Sequence, residues 1–216
     1  GVDRQQQFLR DFGMFEKTSL EMIEASGGKP LLPRKWTELS AMTISYGHGL
    51  STSPLHLAAG YAALANGGYQ VNPTLIRKEQ PTLGPRIISE SAAKASVVML
   101  RKVVTQGTAK RYGDVPGYAV AGKTGTSEKL KKNGGGYDKE RVLASFASVF
   151  PAHDPQYVLV VAMDEAVETV GLKPRRTASL TAVPVAAEII GRVAPLLGMR
   201  PHFEPQVLTN VELTAN

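Results

Sequence analysis

Lys123 is the side chain around which the most chemistry can be arranged. Gly117-Tyr118-Ala119-Val120-Ala121-Gly122-Lys123-Thr124 satisfies the Gly-x4-Gly-Lys-Thr spelling of a phosphate-binding P-loop. That loop works when a buried strand ends at the first glycine and a helix begins at the lysine, aiming backbone N–H groups at phosphate. The surroundings here fit poorly. Tyr112-Gly113-Asp114-Val115-Pro116 reads as a turn rather than a strand, and Ser127 to Lys132 is short for a helix before three glycines. No apolar strand ending in Asp offers a magnesium ligand. The nucleotide-binding reading stands as the rival, discriminated by whether Gly117 to Thr126 is a strand or a loop followed by a helix.

The same residues in an extended backbone have a different use. An ammonium at Lys123, held in a cleft, attracts a carboxylate and eases proton movement between nearby hydroxyls. Thr124 and Thr126 can hydrogen-bond that carboxylate, and Gly125 lets a peptide approach closely enough to pair as an added strand. A backbone N–H at the strand end can face the oxyanion of an acyl-transfer intermediate. Other candidates carry less. His48 and His56 lack an HExxH-like partner, so a metal site is not expected, and His48 reads as structural beside its glycine turn. Lys129, Lys131 and Lys132 read as a solvated loop.

These residues need elements to hold them. Gln5 to Phe15 reads as a short helix stopped near Gly13, residues 24 to 35 as a Gly/Pro loop, and Trp36 to Ile44 as a buried apolar stretch. Ser53-Pro54 is a hydroxyl N-cap followed by proline at the first helical position, opening a helix to Ala65 that Asn66-Gly67-Gly68 stops. A second helix runs from Ser89 to Gly107 with Ala92, Ala95, Met99 and Val103 at helical spacing, and Arg101 and Lys102 suit its dipole. Strands are expected over Tyr118 to Thr126, Val142 to Phe150 and Tyr157 to Met163, with a mobile Lys129 to Gly136 loop. A helix from about Thr177 to Leu197, apolar at Val185, Ile189, Ile190 and Val193, contains Pro184 and Pro195 and so should start late, kink or end early. The fold class is α+β: helices, then a three-strand antiparallel sheet packed by a C-terminal helix.

Composition bounds the rest. At 216 residues the chain can bury a core, and with no cysteine it has no disulfide, thiolate nucleophile or Cys-ligated metal. No apolar run reaches the ~18 residues of a membrane span, and no signal peptide opens the chain. The formal charge of +6 is too mild to choose a partner, and no nucleic acid is expected.

Lys123-Thr124-Gly125 is similar to the Lys-Thr-Gly element of serine penicillin-binding proteins and β-lactamases. Further blocks occur in matching order: Ile44 to Gly49, Thr52 to Ala58, Tyr61 to Gly68, Val104 to Ala109, Val120 to Lys129, and Ala144 to Ala152 with Asp154-Pro155. Together they resemble the class B penicillin-binding proteins, in particular the cell-division-type peptidoglycan D,D-transpeptidases. The resemblance implies a serine D,D-transpeptidase that cross-links peptidoglycan stem peptides and is acylated by β-lactams. Lys123 and Thr126 would be catalytic, Lys123 as the cleft cation and the Thr126 N–H as an oxyanion donor. Thr124, Gly125 and Thr126 would bind the substrate carboxylate and backbone. No metal or organic cofactor is implied. Partners would be the D-Ala-D-Ala stem peptide, β-lactams and division-complex membrane proteins, on the periplasmic side of the inner membrane.

The family pattern also includes Ser-x-x-Lys, which carries the nucleophile, and Ser-x-Asn. Ser-x-Asn is spelled nowhere in this chain. Ser-x-x-Lys is spelled at Ser26 to Lys29, in a Gly/Pro loop, and at Ser91 to Lys94, on an exposed helical turn; both read as decoys. Arg175-Arg176 stands where the family often has small, glycine-rich residues. Residues 1–200 are therefore expected to be the C-terminal portion of a transpeptidase domain with an irregular 201–216 tail, inactive alone and prone to self-association. A non-catalytic penicillin-binding-like interaction module is the remaining alternative.

Overall fold

A computed structural model of the protein describes residues 1–18, 20–23, 28–80, 83–171 and 173–203. Among these, the order is α1 (Val2–Asp11), α2 (Glu38–Ser45), α3 (Pro54–Ala65), α4 (Glu90–Thr105), β1 (Ala121–Leu130), β2 (Tyr137–Phe150), β3 (Tyr157–Asp164) and α5 (Ala182–Leu196). The strands form one antiparallel sheet in the order β1-β2-β3, so the α+β expectation holds. No helix among the described residues is long and apolar enough to cross a membrane.

The caps show why the helices lie where they do. The Ser53 Oγ accepts the His56 N–H while His56 Nδ1 accepts the Ser53 N–H, a reciprocal box with Pro54 just inside it. Ser89 caps α4 through the Ala92 N–H at 3.2 Å. In α4, however, the buried face is Ala93, Val97 and Val104, displaced from the expected Ala92, Ala95 and Met99, and Met99 is 62% exposed. Both stripes are apolar enough, and packing of α4 against α3 and β1 decides between them. In α5 likewise the buried residues are Ala182, Val183, Ala186, Ile190 and Ala194, while Val185 lies outward. Its late start at Ala182 follows the expectation for a proline in the first turn.

The N-terminal region departs further. The first helix starts at Val2 rather than Gln5 and ends at Asp11, with Gly13 at φ +73° just beyond its cap, close to the expected stop. Of the stretch expected to be buried, Ile44 is, whereas Leu39 and Met42 are 68% and 65% exposed. Trp36 instead donates its indole N–H to Gln5 Oε1 and sits against Phe15.

The sheet's two faces do different work. One face presents Ala144, Phe146 and Phe150 to Val104, Ala182, Val183, Ile190 and Ala194, making the core. Burying side chains such as Phe146 and Ile190 contributes about 1.5–3 kcal/mol each. A Cβ on Gly122 would lie 2.6 Å from Phe146 Cζ, so the Phe146 ring takes the space a side chain there would need. β1 starts at Ala121 rather than Tyr118, because Tyr118 belongs to a turn held by its N–H on Val115 O. It also runs on to Leu130, so the expected loop shrinks to a turn at 131–136 whose three glycines all have positive φ. The described tail is irregular up to Phe203, with the His202 N–H on Gly117 O; residues 204–216 lie outside the described residues.

Candidate functional site

Lys123 lies in a strand, paired with Ala147 on β2, and no helix begins at it. That overturns the P-loop reading, since an extended backbone offers neither the cradle of N–H groups nor the helix N-terminus that phosphate needs. The strand is fixed at its start by Arg101, whose two Nη atoms fork onto Asp114 at 2.6 and 3.0 Å while Nη1 also donates to Val120 O at 2.8 Å. Arg101 thus serves the sheet rather than the dipole of its own helix. β1 is an edge strand, and among the described residues no other strand pairs with its outer edge.

Alternation along β1 splits the candidate residues between its faces. Lys123 and Gly125 stand opposite Ala147 and Ser145, on the face away from the Phe146 core. The Lys123 Nζ donates to the Thr124 carbonyl at 2.7 Å. A Cβ on Gly125 would lie 2.7 Å from Ser145 Oγ, so this position keeps the face low. Thr124 and Thr126 project the other way. The Thr124 and Thr108 hydroxyls are 2.8 Å apart, and Thr126 Oγ1 accepts the Ala178 N–H at 3.1 Å. All four residues nonetheless line one cleft beside the strand edge.

The Lys123 face opens onto a cleft of about 590 Å³. Its floor is Lys123, Gly125, Ser145, Ala147, Val160 and Ala162 from the three strands, and its walls come from Leu57 and Tyr61 of α3 and from the stretch between Ile44 and Pro54. Burial pushes the Tyr61 hydroxyl up to about 12, so it stays protonated near neutral pH. The glycines around His48 have φ of +94° and +92°, and the ring meets Tyr137 of the hairpin edge-on at 5.2 Å. His56 is 3% exposed, and its Nε2–H donates to Glu16 O at 2.7 Å while Nδ1 serves the Ser53 cap. Both ring nitrogens are occupied, which leaves neither for a metal.

Sequence reasoning missed the partners of the two threonines. Thr108 lies in a block already notable as Gln106-Gly107-Thr108-Ala109, but Ala178 contributes only a backbone N–H and leaves no residue-type signal. Lys131 and Lys132 are exposed as expected, whereas Lys129 lies within β1 and is half-buried. It pairs with Asp164 and Glu165, and the hydrogen bond to Asp164, then that to Glu165, raises its pKa. Arg176 pairs with Glu140 at 2.8 Å. Of the two Ser-x-x-Lys spellings, Ser26 lies outside the described residues. At the other, Lys94 pairs with Glu90 at 2.6 Å and its side chain is 73% exposed, while Ser91 Oγ meets Ser89 Oγ.

Comparison with known proteins gives this geometry a family. A model of the penicillin binding protein transpeptidase domain matches residues 1–191. The probable peptidoglycan D,D-transpeptidase FtsI of Caulobacter vibrioides is 34% identical, over 97% of this chain and 37% of that protein. Stage V sporulation protein D of Bacillus subtilis is 29% identical, over 94% of this chain and 32% of its own length. The chain thus spans about a third of the length of these curated relatives. Among solved structures, the apo transpeptidase domain of penicillin-binding protein 3 from Burkholderia pseudomallei superposes with a TM-score of 0.82 at 31% identity, covering 94% of this chain and 60% of that one. Penicillin binding protein 3 of Mycobacterium tuberculosis, complexed with ampicillin, gives 0.79 at 28% identity, over 95% and 48%. An edge strand bearing Lys123-Thr124-Gly125-Thr126 above a cleft, set in this fold, belongs to a chain of the penicillin-binding protein transpeptidase domain family.

Proposed function

We propose that this chain is the binding wall of a serine D,D-transpeptidase that cross-links peptidoglycan stem peptides during cell division and is acylated by β-lactams. Residues 1–200 form the C-terminal portion of the transpeptidase domain and 201–216 its tail. The observation that carries the reading is the Lys123 to Thr126 run on an edge strand with a cleft of about 590 Å³ beside it. The reaction divides amide exchange into two acyl transfers. A serine oxygen attacks the penultimate D-alanine carbonyl, the C–N bond breaks, and terminal D-alanine leaves with a proton on its amine. An acceptor amine of a neighbouring strand then attacks the ester and expels the serine.

Within that sequence Lys123 is the cleft cation that draws in the substrate carboxylate and favours proton movement between neighbouring hydroxyls. Thr124 and Thr126 donate hydroxyl hydrogen bonds to the carboxylate, and Gly125 admits the peptide backbone. The Thr126 N–H faces the oxyanion. The nucleophile comes from a Ser-x-x-Lys segment that these residues do not supply, so residues 1–216 alone are inactive. The exposed Leu39, Met42 and Tyr46 make the isolated chain prone to self-association. In the whole protein the domain works on the periplasmic side of the inner membrane beside division-complex membrane proteins.

Incubation with a fluorescent penicillin tests the reading. The chain joined to its upstream segment should carry a covalent label and the chain alone none. Labelling of the isolated chain at Ser26 or Ser91, or none on the joined protein, would overturn it.

A further inference from the structure

The turn after α4 holds Thr108, whose hydroxyl is the one that touches the Thr124 hydroxyl among the described residues, and the reaction above gives it no task. We infer that Thr108 is a positioning residue for ligand binding: its hydroxyl donates to Thr124 Oγ1 and so turns the Thr124 proton outward, to a carboxylate lying along the edge of β1. The inference rests on the transpeptidase reading above and adds a residue to it.

Hydrogen-bond accounting leads there. The two oxygens are 2.8 Å apart, a distance at which one hydroxyl proton lies between them. Each hydroxyl has a single proton, and an ionised carboxylate only accepts. If Thr124 donated to Thr108, it would have no proton left for the ligand. With Thr108 as donor, the Thr124 O–H is free, and the chain Thr108 to Thr124 to carboxylate polarises in one direction. Thr126 is arranged in the same sense, since its oxygen accepts the Ala178 N–H at 3.1 Å and its proton is released. Two residues apart on one face of a strand, the two hydroxyls lie roughly 6.6 Å from each other along the chain. Both are backed by a donor from outside the strand and both can donate to one anionic group.

The backbone around Thr108 is built to hold this position. A Cβ on Gly107 would lie 2.8 Å from the Val103 Cα and 2.9 Å from its carbonyl oxygen, so the turn closes against the end of α4. Ala109 is 1% exposed and its N–H bonds Val103 O at 3.1 Å. Thr108, between a closed turn and a buried anchor, is itself exposed at the strand edge. An exposed threonine held on both sides, with its hydroxyl on a motif residue, is placed to orient rather than to fill space.

The test uses the protein comprising this chain and its upstream segment, with ampicillin as the ligand, and resolves the pre-acylation dissociation constant from the acylation rate. Thr108→Val, which keeps the shape and removes the hydroxyl, should raise the dissociation constant about fivefold, as expected for the loss of one hydrogen bond between neutral groups. The acylation rate should stay within about twofold. Thr108→Ser should restore binding, and in a Thr124→Ala background Thr108→Val should have no further effect. The inference is overturned if Thr108→Val binds like the parent, if Thr108→Ser is as impaired as Thr108→Val, or if the two changes add fully. If the parent protein takes up no ampicillin, the transpeptidase reading itself fails and this assignment falls with it.

Discussion

The Ala178 N–H donates to Thr126 Oγ1 at 3.1 Å, tying the segment ahead of α5 to the edge strand across 52 residues of chain. Ala178 is 1% exposed, so its N–H has no water to turn to. Thr126 is therefore both a structural acceptor and a candidate ligand contact.

Thr126→Val should orphan that buried N–H and cost about 1–3 kcal/mol of stability, whereas Thr126→Ser keeps an acceptor and should cost far less. Denaturant melts of the two variants check this. Equal losses would show that the methyl group, not the hydroxyl, matters there.

The two glycines flanking Lys123 and Thr124 should respond differently to alanine. At Gly122 the added Cβ meets Phe146 Cζ at 2.6 Å and the Ala147 carbonyl at 2.7 Å, so Gly122→Ala should cost about 1–3 kcal/mol through overpacking. At Gly125 it meets Ser145 Oγ alone, at 2.7 Å, and that hydroxyl can rotate away. Gly125→Ala should fold nearly as well while narrowing the cleft. Thermal melts that rank the two in the opposite order would contradict the packing described for Phe146.

Much of the fold follows from local chemistry. Ser53-Pro54 names its helix because cap and proline act within one turn, and β2 and β3 stand out as short apolar runs on either side of Pro151 and Pro155. Faces are harder to read. Ala92 and Ala93 are equally apolar, and only the partners of α4 bury one and expose the other. Leu39 and Met42 look like core residues in sequence, yet lie exposed. At the site, Lys123 to Thr126 is legible as an extended run with a cation. The groups that back its threonines come from 16 and 52 residues away, where no periodicity points to them.

Acid should loosen the ion-paired end of the sheet. The hydrogen bond from Lys129, with help from Arg141, holds the Glu165 carboxyl below the ordinary glutamate value of 4.5. A native pKa that is lowered contributes stability in full above about pH 4.5, lost as the pH falls through the lower native value. Lys129 has the opposite sign: its raised pKa contributes in full below about 10.5 and is lost as the pH rises through the higher native value. Melting temperatures should thus decline at both extremes, and Glu165→Gln should flatten the acid limb. An unchanged acid limb in that variant would contradict the assignment.

The role proposed for Lys123, as the cleft cation of an acyl-transfer site, can be read from a labelling rate. The rate of covalent labelling by a fluorescent penicillin is compared between the protein carrying this chain with its upstream segment and its Lys123→Ala variant, after both are shown to melt alike. The variant should label at least about a hundredfold more slowly, the scale of losing one general acid–base or electrostatic contribution. A Lys123→Ala protein that folds and labels at the parent rate would contradict it.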